Sequence, residues 1–316
     1  MPRELLNKYD TYCLKGICML MIIMGHTYNG YPVGQAGHVF PPVLNWLHME
    51  AWGGIGVGVF LFLSGYGMSL SLQRHAVTPS YVRGKALRLF EPYVIYWLVE
   101  LAVLLCLDRQ AIGGGVLHDM GTLGIFPHTE NWFFKVILGL YLCIILLALT
   151  RLSATWRTAV MTALCLAYMG LMRHWGFGSW WYANILLFPM GMLVAHRYDW
   201  FARIHPYLSV TLLLCLLIAG HTARVSPLLL HMGAALLLVW TIRIVPVRHG
   251  LLHYVGVNSF VFYFLECPAM DHLAMPAYRH FPTYCLLSVV LTFLLSAAAV
   301  WAAARVKKCL TAPRKS

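Results

Sequence analysis

The first residues in this sequence with the types and spacing for chemistry are a lysine and a histidine in one apolar run. Lys15 and His26 have ten residues between them in the stretch Cys13 to Tyr28. On a helix, eleven steps of about 100° bring the imidazole to within about 20° of the lysine's face. The rise between them is roughly 16 Å, about half the thickness of a bilayer's hydrocarbon core, so one end can touch water while the other sits deep. Histidine is the side chain best suited to take a proton from a poor acid near neutral pH, and a cation at the water edge can hold an anionic group.

Carboxylates inside the apolar runs are the next candidates. Glu100 lies well within the third run, and Glu266 lies about one turn from the outer end of the ninth. An ionisable group in a membrane is costly, so it is expected to face the protein interior or a water-filled cavity and to have a partner. Glu130, in Glu130-Asn131-Trp132 at the head of the fourth run, is placed to line a cavity mouth. Glu100, Glu130 and Glu266 are all candidate orienters of His26, and the sequence does not choose among them. Lys85 and Arg88, three apart, are neighbours on a helix face at the headgroup level. There they can hold a phosphorylated cofactor or anionic lipid, or serve as plain topological anchors. Ser64, in Ser64-Gly65-Tyr66-Gly67, is a candidate for the wall of a passage. His249 and His253 have the i, i+4 spacing of metal ligands but lack a third ligand nearby, so no metal site is expected.

The elements that must carry these residues are membrane helices. The chain has 316 residues, 60% hydrophobic and 11% charged, with a mean hydropathy of +0.70, far from the roughly 25% charge of a soluble domain. Its apolar windows fall at 12–29, 51–72, 89–107, 132–150, 157–173, 180–196, 207–221, 226–242, 253–270 and 283–304. Their lengths predict an all-α polytopic membrane protein of about ten transmembrane helices. Eighteen of the 23 Lys and Arg residues then fall on the side of the N-terminus and only four on the other, which places both termini in the cytoplasm. The net charge of +12 is thereby accounted for by topology and lipid headgroups, and no nucleic-acid partner is expected. One transmembrane domain is expected over residues 1–316, with a basic cytoplasmic tail from about 305 to 316. Glu4, Asp10 and the lack of a small-residue cleavage signature argue that the first run stays as helix one. The nine cysteines lie mostly in apolar windows without a Cys-x-x-Cys pair and read as small buried hydrophobes. Glycines alternating through Gly54, Gly56 and Gly58 let either a neighbouring helix or a ligand approach the backbone closely.

Taken together, several motifs resemble acyltransferase family 3, the bacterial integral-membrane acyltransferases that decorate cell-surface glycans. They are Leu14-Lys15-Gly16-Ile17 through Met24-Gly25-His26, and Phe60 to Tyr66 ending in Ser64-Gly65-Tyr66. Three later ones agree: Lys85-Ala86-Leu87-Arg88 followed by Pro92-Tyr93, Trp132-Phe133-Phe134 with Tyr141, and Gly256-Val257-Asn258-Ser259 with Tyr263 and Pro268. In the late motif the family commonly has a histidine seven residues after the serine, where this chain has Glu266. The resemblance runs from Tyr9 to the last window, and 316 residues leave no room for the esterase-like extension of some members.

The resemblance implies transfer of an acyl group, usually acetyl from acetyl-CoA, to a hydroxyl of a cell-surface or lipid-linked glycan at the bacterial inner membrane. Acyl-CoA is then a co-substrate, and no cofactor is bound permanently. His26 would be the general base, with Glu100, Glu130 or Glu266 as its carboxylate. Lys15, Lys85 and Arg88 would hold the donor's phosphates while its pantetheine arm runs inward past Ser64. Two other classes stay open on the residues alone: a transporter or flippase of a lipid-linked sugar, and a non-catalytic assembly subunit. Trp46, Trp52, Trp180 and Trp181 suit either sugar stacking or an interfacial belt. The sequence sets neither the acceptor nor the oligomeric state.

Overall fold

The computed structural model describes residues 5–30, 51–107, 109–113, 116, 132–203, parts of 205–218, 227–277 and 280–311. Its longer helices are α1 (Lys8–Gly30), α2 (Trp52–Arg74), α3 (Pro79–Leu107), α4 (Trp132–Leu149), α5 (Ala154–His174), α6 (Leu187–His196), α7 (Pro227–Ile244), α8 (Gly250–Val257), α9 (Ser259–Pro268) and α10 (Phe281–Thr311). No strand occurs among the described residues. Four helices, α2, α3, α4 and α10, are long and apolar enough to cross a membrane, while α6 and Leu229–Ile244 of α7 are shorter apolar helices. The helical membrane class expected from composition is thus the class observed. At 23 residues α1 is long enough to span as well, but it carries Lys8, Asp10, Lys15 and His26.

Two of the expected windows are not single helices. The window at 180–196 opens as a 3-10 turn at Ser179–Trp181, bends, and becomes the ten-residue α6. Pro189 explains the late start: with the helix extended upstream, its ring would clash with the carbonyl four residues before it. The window at 253–270 is α8, a break at Asn258, and α9, continued by a π-helical segment at Ala269–Ala274. Pro268 sits where the turn widens; it donates no backbone N–H, which favours a departure from the regular ladder there.

The chain forms two compact units. The first comprises Met1–Ile22, Ala51–Lys85 and Trp132–Val257. Within it α2 and α6 lie back to back: a Cβ on Gly65 would meet the Phe188 carbonyl, and one on Gly191 would meet the Phe62 carbonyl. Small residues at such crossings let two backbones touch and gain dispersion contacts that larger side chains would prevent. The alternating glycines of α2 are used in the same way, since Gly56 faces the Cys18 carbonyl and Ile22 of α1. Phe60 of α2 packs edge-on against Phe133 of α4, with ring centroids 6.4 Å apart.

The second unit comprises Ile23–Glu50, Ala86–Asn131 and Asn258–Ser316. Here an aromatic layer joins α3 to α9: the Phe264 ring lies 5.5 Å from Tyr93 and 5.8 Å from Tyr96. Phe262, on another face of α9, packs against Phe293 of α10 at 5.6 Å. The last turns of α1 join the same unit through Tyr28, edge-on to Phe281, and Thr27, whose hydroxyl donates to Cys285 Sγ at 3.7 Å.

Candidate active site

His26 and Glu266 meet in the second unit. Rings on two faces of α9 fix that helix against α3 and α10, and Val261, Phe262, Tyr263, Phe264 and Leu265 are all buried. The remaining direction carries Glu266 to α1, where Oε1 lies 2.8 Å from His26 Nδ1. The glutamate side chain is 1% exposed and that of the histidine 36%. A carboxylate this deeply buried carries a desolvation penalty of several kcal/mol, which only good geometry with a donor offsets. The 2.8 Å contact is short enough for a charge-assisted hydrogen bond. With Nδ1–H donated to the carboxylate, the tautomer assigned from this bond places the imidazole lone pair on Nε2. Such a ring can accept a proton at Nε2, and the resulting imidazolium is stabilised by the charge beneath it.

Glu100 makes the equivalent bond to a different histidine. Its Oε1 lies 3.0 Å from His272 Nε2, with side chains 14% and 30% exposed respectively. His272 belongs to the π-helical segment Ala269–Ala274 that continues α9. The second unit thus holds two imidazole–carboxylate pairs, and Glu100 is engaged by His272. In both carboxylates Oε2 is buried with no hydrogen-bond partner among the described residues.

The expected donor-binding residues are distributed as follows. Lys15 is half-buried on α1, with its ammonium 5.8 Å from the centre of the Tyr12 ring. Ser64 is half-buried on α2, and Lys85, also in the first unit, lies over Tyr81 at 5.1 Å. Arg88 is exposed on the part of α3 that belongs to the second unit. Glu130 lies outside the described residues. Lys135 on α4 lies over the Trp181 ring at 5.7 Å. Among the described residues no group of three or more His, Cys, Asp or Glu is placed to hold a metal.

A short imidazole–carboxylate bond on membrane helices narrows the chemistry to proton handling, and comparison with known families narrows it further. Residues 13–301, nearly the whole chain, match the acyltransferase family 3 model, described as an acyltransferase domain. The chain belongs to acyltransferase family 3. No curated protein and no solved structure matches it. As a member of this family it is a multi-pass membrane acyltransferase, and the match includes Lys15, His26, Glu100 and Glu266. His272 was the functional candidate that sequence reading missed. Its one signal was its position six residues beyond Glu266, in a segment with Pro268 upstream and Pro276 downstream.

Proposed function

We propose that this protein moves an acyl group, acetyl being the first choice, from acyl-CoA to a hydroxyl of a cell-surface or lipid-linked glycan. His26 is the general base and Glu266 its positioning partner. The observation that carries the reading is the 2.8 Å contact between His26 Nδ1 and a carboxylate that is 1% exposed. A sugar hydroxyl is a weak nucleophile, and a base within hydrogen-bond reach is worth typically about 10²- to 10⁴-fold in rate. As the hydroxyl oxygen forms its bond to the thioester carbonyl carbon, its proton passes to Nε2 of His26. The C–S bond then breaks, and the same proton leaves on the CoA sulfur. Membership of an acyltransferase family supports the reaction type. The cations on the N-terminal side, Lys15, Lys85 and Arg88, supply charge for the donor's phosphates. The excess of basic residues on that side supports cytoplasmic termini in a bacterial inner membrane.

The test is CoA release from acetyl-CoA by the detergent-purified chain with a glycan acceptor, followed by chromatography. His26→Ala is expected to lower turnover by at least about 10²-fold while acetyl-CoA still binds. Turnover retained in His26→Ala would eliminate the proposed base. A wild-type protein that moves the glycan across a bilayer without cleaving the thioester would instead make this a transporter.

A further inference from the structure

The histidine pair His249 and His253, singled out in the sequence by its spacing, is not used by the chemistry proposed above. His253 lies in the first unit beneath the N-terminal turns of α1. Its ring stacks on Tyr9 with centroids 4.4 Å apart and planes 19° apart, and meets Tyr12 edge-on at 5.3 Å. Two glycines bring the backbones close enough for this. A Cβ on Gly16 would overlap the Leu252 carbonyl, and one on Gly256 would overlap the Tyr12 carbonyl, so α1 and α8 cross in direct contact.

Cations flank the rings. Lys8 Nζ is 5.9 Å and Lys15 Nζ 5.8 Å from the centre of Tyr12. Lys8, Tyr12 and Lys15 stand at i, i+4 and i+7, one face of α1, and by helical period that is also the face of His26 further along the helix. The neighbouring carboxylate, Asp10, is already engaged: Oδ2 accepts from Asn7 Nδ2 at 2.6 Å, and Oδ1 lies 3.8 Å from Arg248 Nε. Among the described residues the cluster therefore sets Lys8, Lys15 and Arg248 against one buried acid, whose Oδ1 has no hydrogen-bond partner. Tyr9 remains 38% exposed although His253 stacks on one face of its ring.

Stacked rings with an exposed tyrosine, bordered by lysines, have the chemistry that binds a nucleotide: a base stacks on an aromatic ring while phosphates meet the cations. We propose that Tyr9, Tyr12 and His253, with Lys8 and Lys15, form the platform for the adenosine 3′,5′-bisphosphate half of the acyl-CoA donor. This rests on the transfer reading above and adds to it the place where the donor's nucleotide is held. Lys8 and Lys15 alone would serve an anionic lipid headgroup equally well; the aromatic stack is what selects a base.

The probe is adenosine 3′,5′-bisphosphate, which has no thioester, measured by calorimetry on the full chain in neutral detergent. Wild type binds it, and Tyr9→Leu and Tyr12→Leu each weaken binding at least about five-fold, the low end for losing one base–ring stack. Tyr9→Trp restores it. Melting temperatures of the variants are recorded so that misfolding is not counted as lost affinity. Wild-type affinity in both leucine variants overturns the platform. Loss confined to Lys8→Gln, with phosphatidylglycerol displacing the nucleotide, also overturns it and assigns the patch to lipid headgroups. The two readings fail separately: transfer from acetyl-pantetheine by a wild type that does not bind the bisphosphate overturns the platform alone. No transfer from either donor overturns the reaction on which it rests.

Discussion

Replacing Glu266 by glutamine is the sharpest single perturbation of the proposed site, because it removes a charge and almost nothing else. The side chain is 1% exposed and its Oε1 lies 2.8 Å from His26 Nδ1. An amide of the same size can still accept that hydrogen bond through its oxygen, so the ring keeps its place. What it cannot do is stabilise the imidazolium formed as the hydroxyl gives up its proton. A hydrogen bond to a charged group is worth about 1.5–3 kcal/mol, and each 1.36 kcal/mol is about tenfold in rate, so kcat should fall by about 10- to 150-fold. Should the amide turn its NH₂ group to Nδ1, the proton is driven to Nε2 and the base is lost altogether. The fall then approaches about 10⁴-fold, the size seen when a catalytic triad is locked in the wrong tautomer. The assay is steady-state CoA release at saturating acetyl-CoA, read by chromatography because the exposed thiols of Cys106, Cys215 and Cys309 would react with a thiol reagent. A kcat within about three-fold of wild type, in protein that melts normally, would refute the claim that this carboxylate assists proton transfer.

Glu100→Gln and His272→Gln should each lower the melting temperature, and a double-mutant cycle between them should show coupling of about 0.5–3 kcal/mol. The same cycle between Glu100 and His26 should give a coupling near zero, since the Glu100 bond runs to His272. Gly65→Ala drives a methyl into the Phe188 carbonyl and should destabilise the protein by about 1–3 kcal/mol. Gly67→Ala, on the same helix but with nothing within 4 Å of its Cβ, should be neutral or stabilising by up to about 1 kcal/mol; thermal melts in one detergent check both.

The sequence carried the helices that stand on apolar length and the His26 end of the site on helical period. Lys15 and His26 share α1 as the spacing demands, and the windows at 51–72, 132–150 and 157–173 return as α2, α4 and α5 within a few residues. What period could not supply is the partner of a buried charge. Glu100, Glu130 and Glu266 are equal along the chain; only the packing of Phe264 against Tyr93 and Tyr96 decides which face of α9 turns Glu266 toward His26. His272 escaped because a hydropathy window treats the segment after Pro268 as the end of a span. The chain instead continues through a π turn and brings the imidazole to Glu100. The contact between Lys135 and Trp181 joins residues 46 apart in sequence, beyond the reach of any local pattern. Local pattern finds surfaces and spans, whereas contacts between distant segments appear only once the helices pack.

Under the proposed transfer the proton count closes on one residue, and this has a consequence for stability. The proton that leaves the hydroxyl is the one that departs on sulfur, so Glu266 begins and ends each turnover in the same state and the transfer needs no exchange with bulk water. Its side chain is buried at 1% exposure, with one oxygen bonded to His26 and the other without a hydrogen-bond partner among the described residues. Replacing both members of a buried ion pair by apolar groups is often neutral or stabilising, whereas removing the charge of one member alone is destabilising; glutamine limits that loss because its oxygen can still accept from Nδ1. Glu266→Gln should thus melt at or somewhat below the wild-type temperature, as Glu100→Gln should, yet lose at least about ten-fold in kcat at a temperature where it is fully folded. A residue kept merely to fasten α1 to α9 would lower the melting temperature and leave kcat of the folded protein near that of the wild type. The two measurements, made on one preparation, separate a carboxylate that serves chemistry from one that serves the fold.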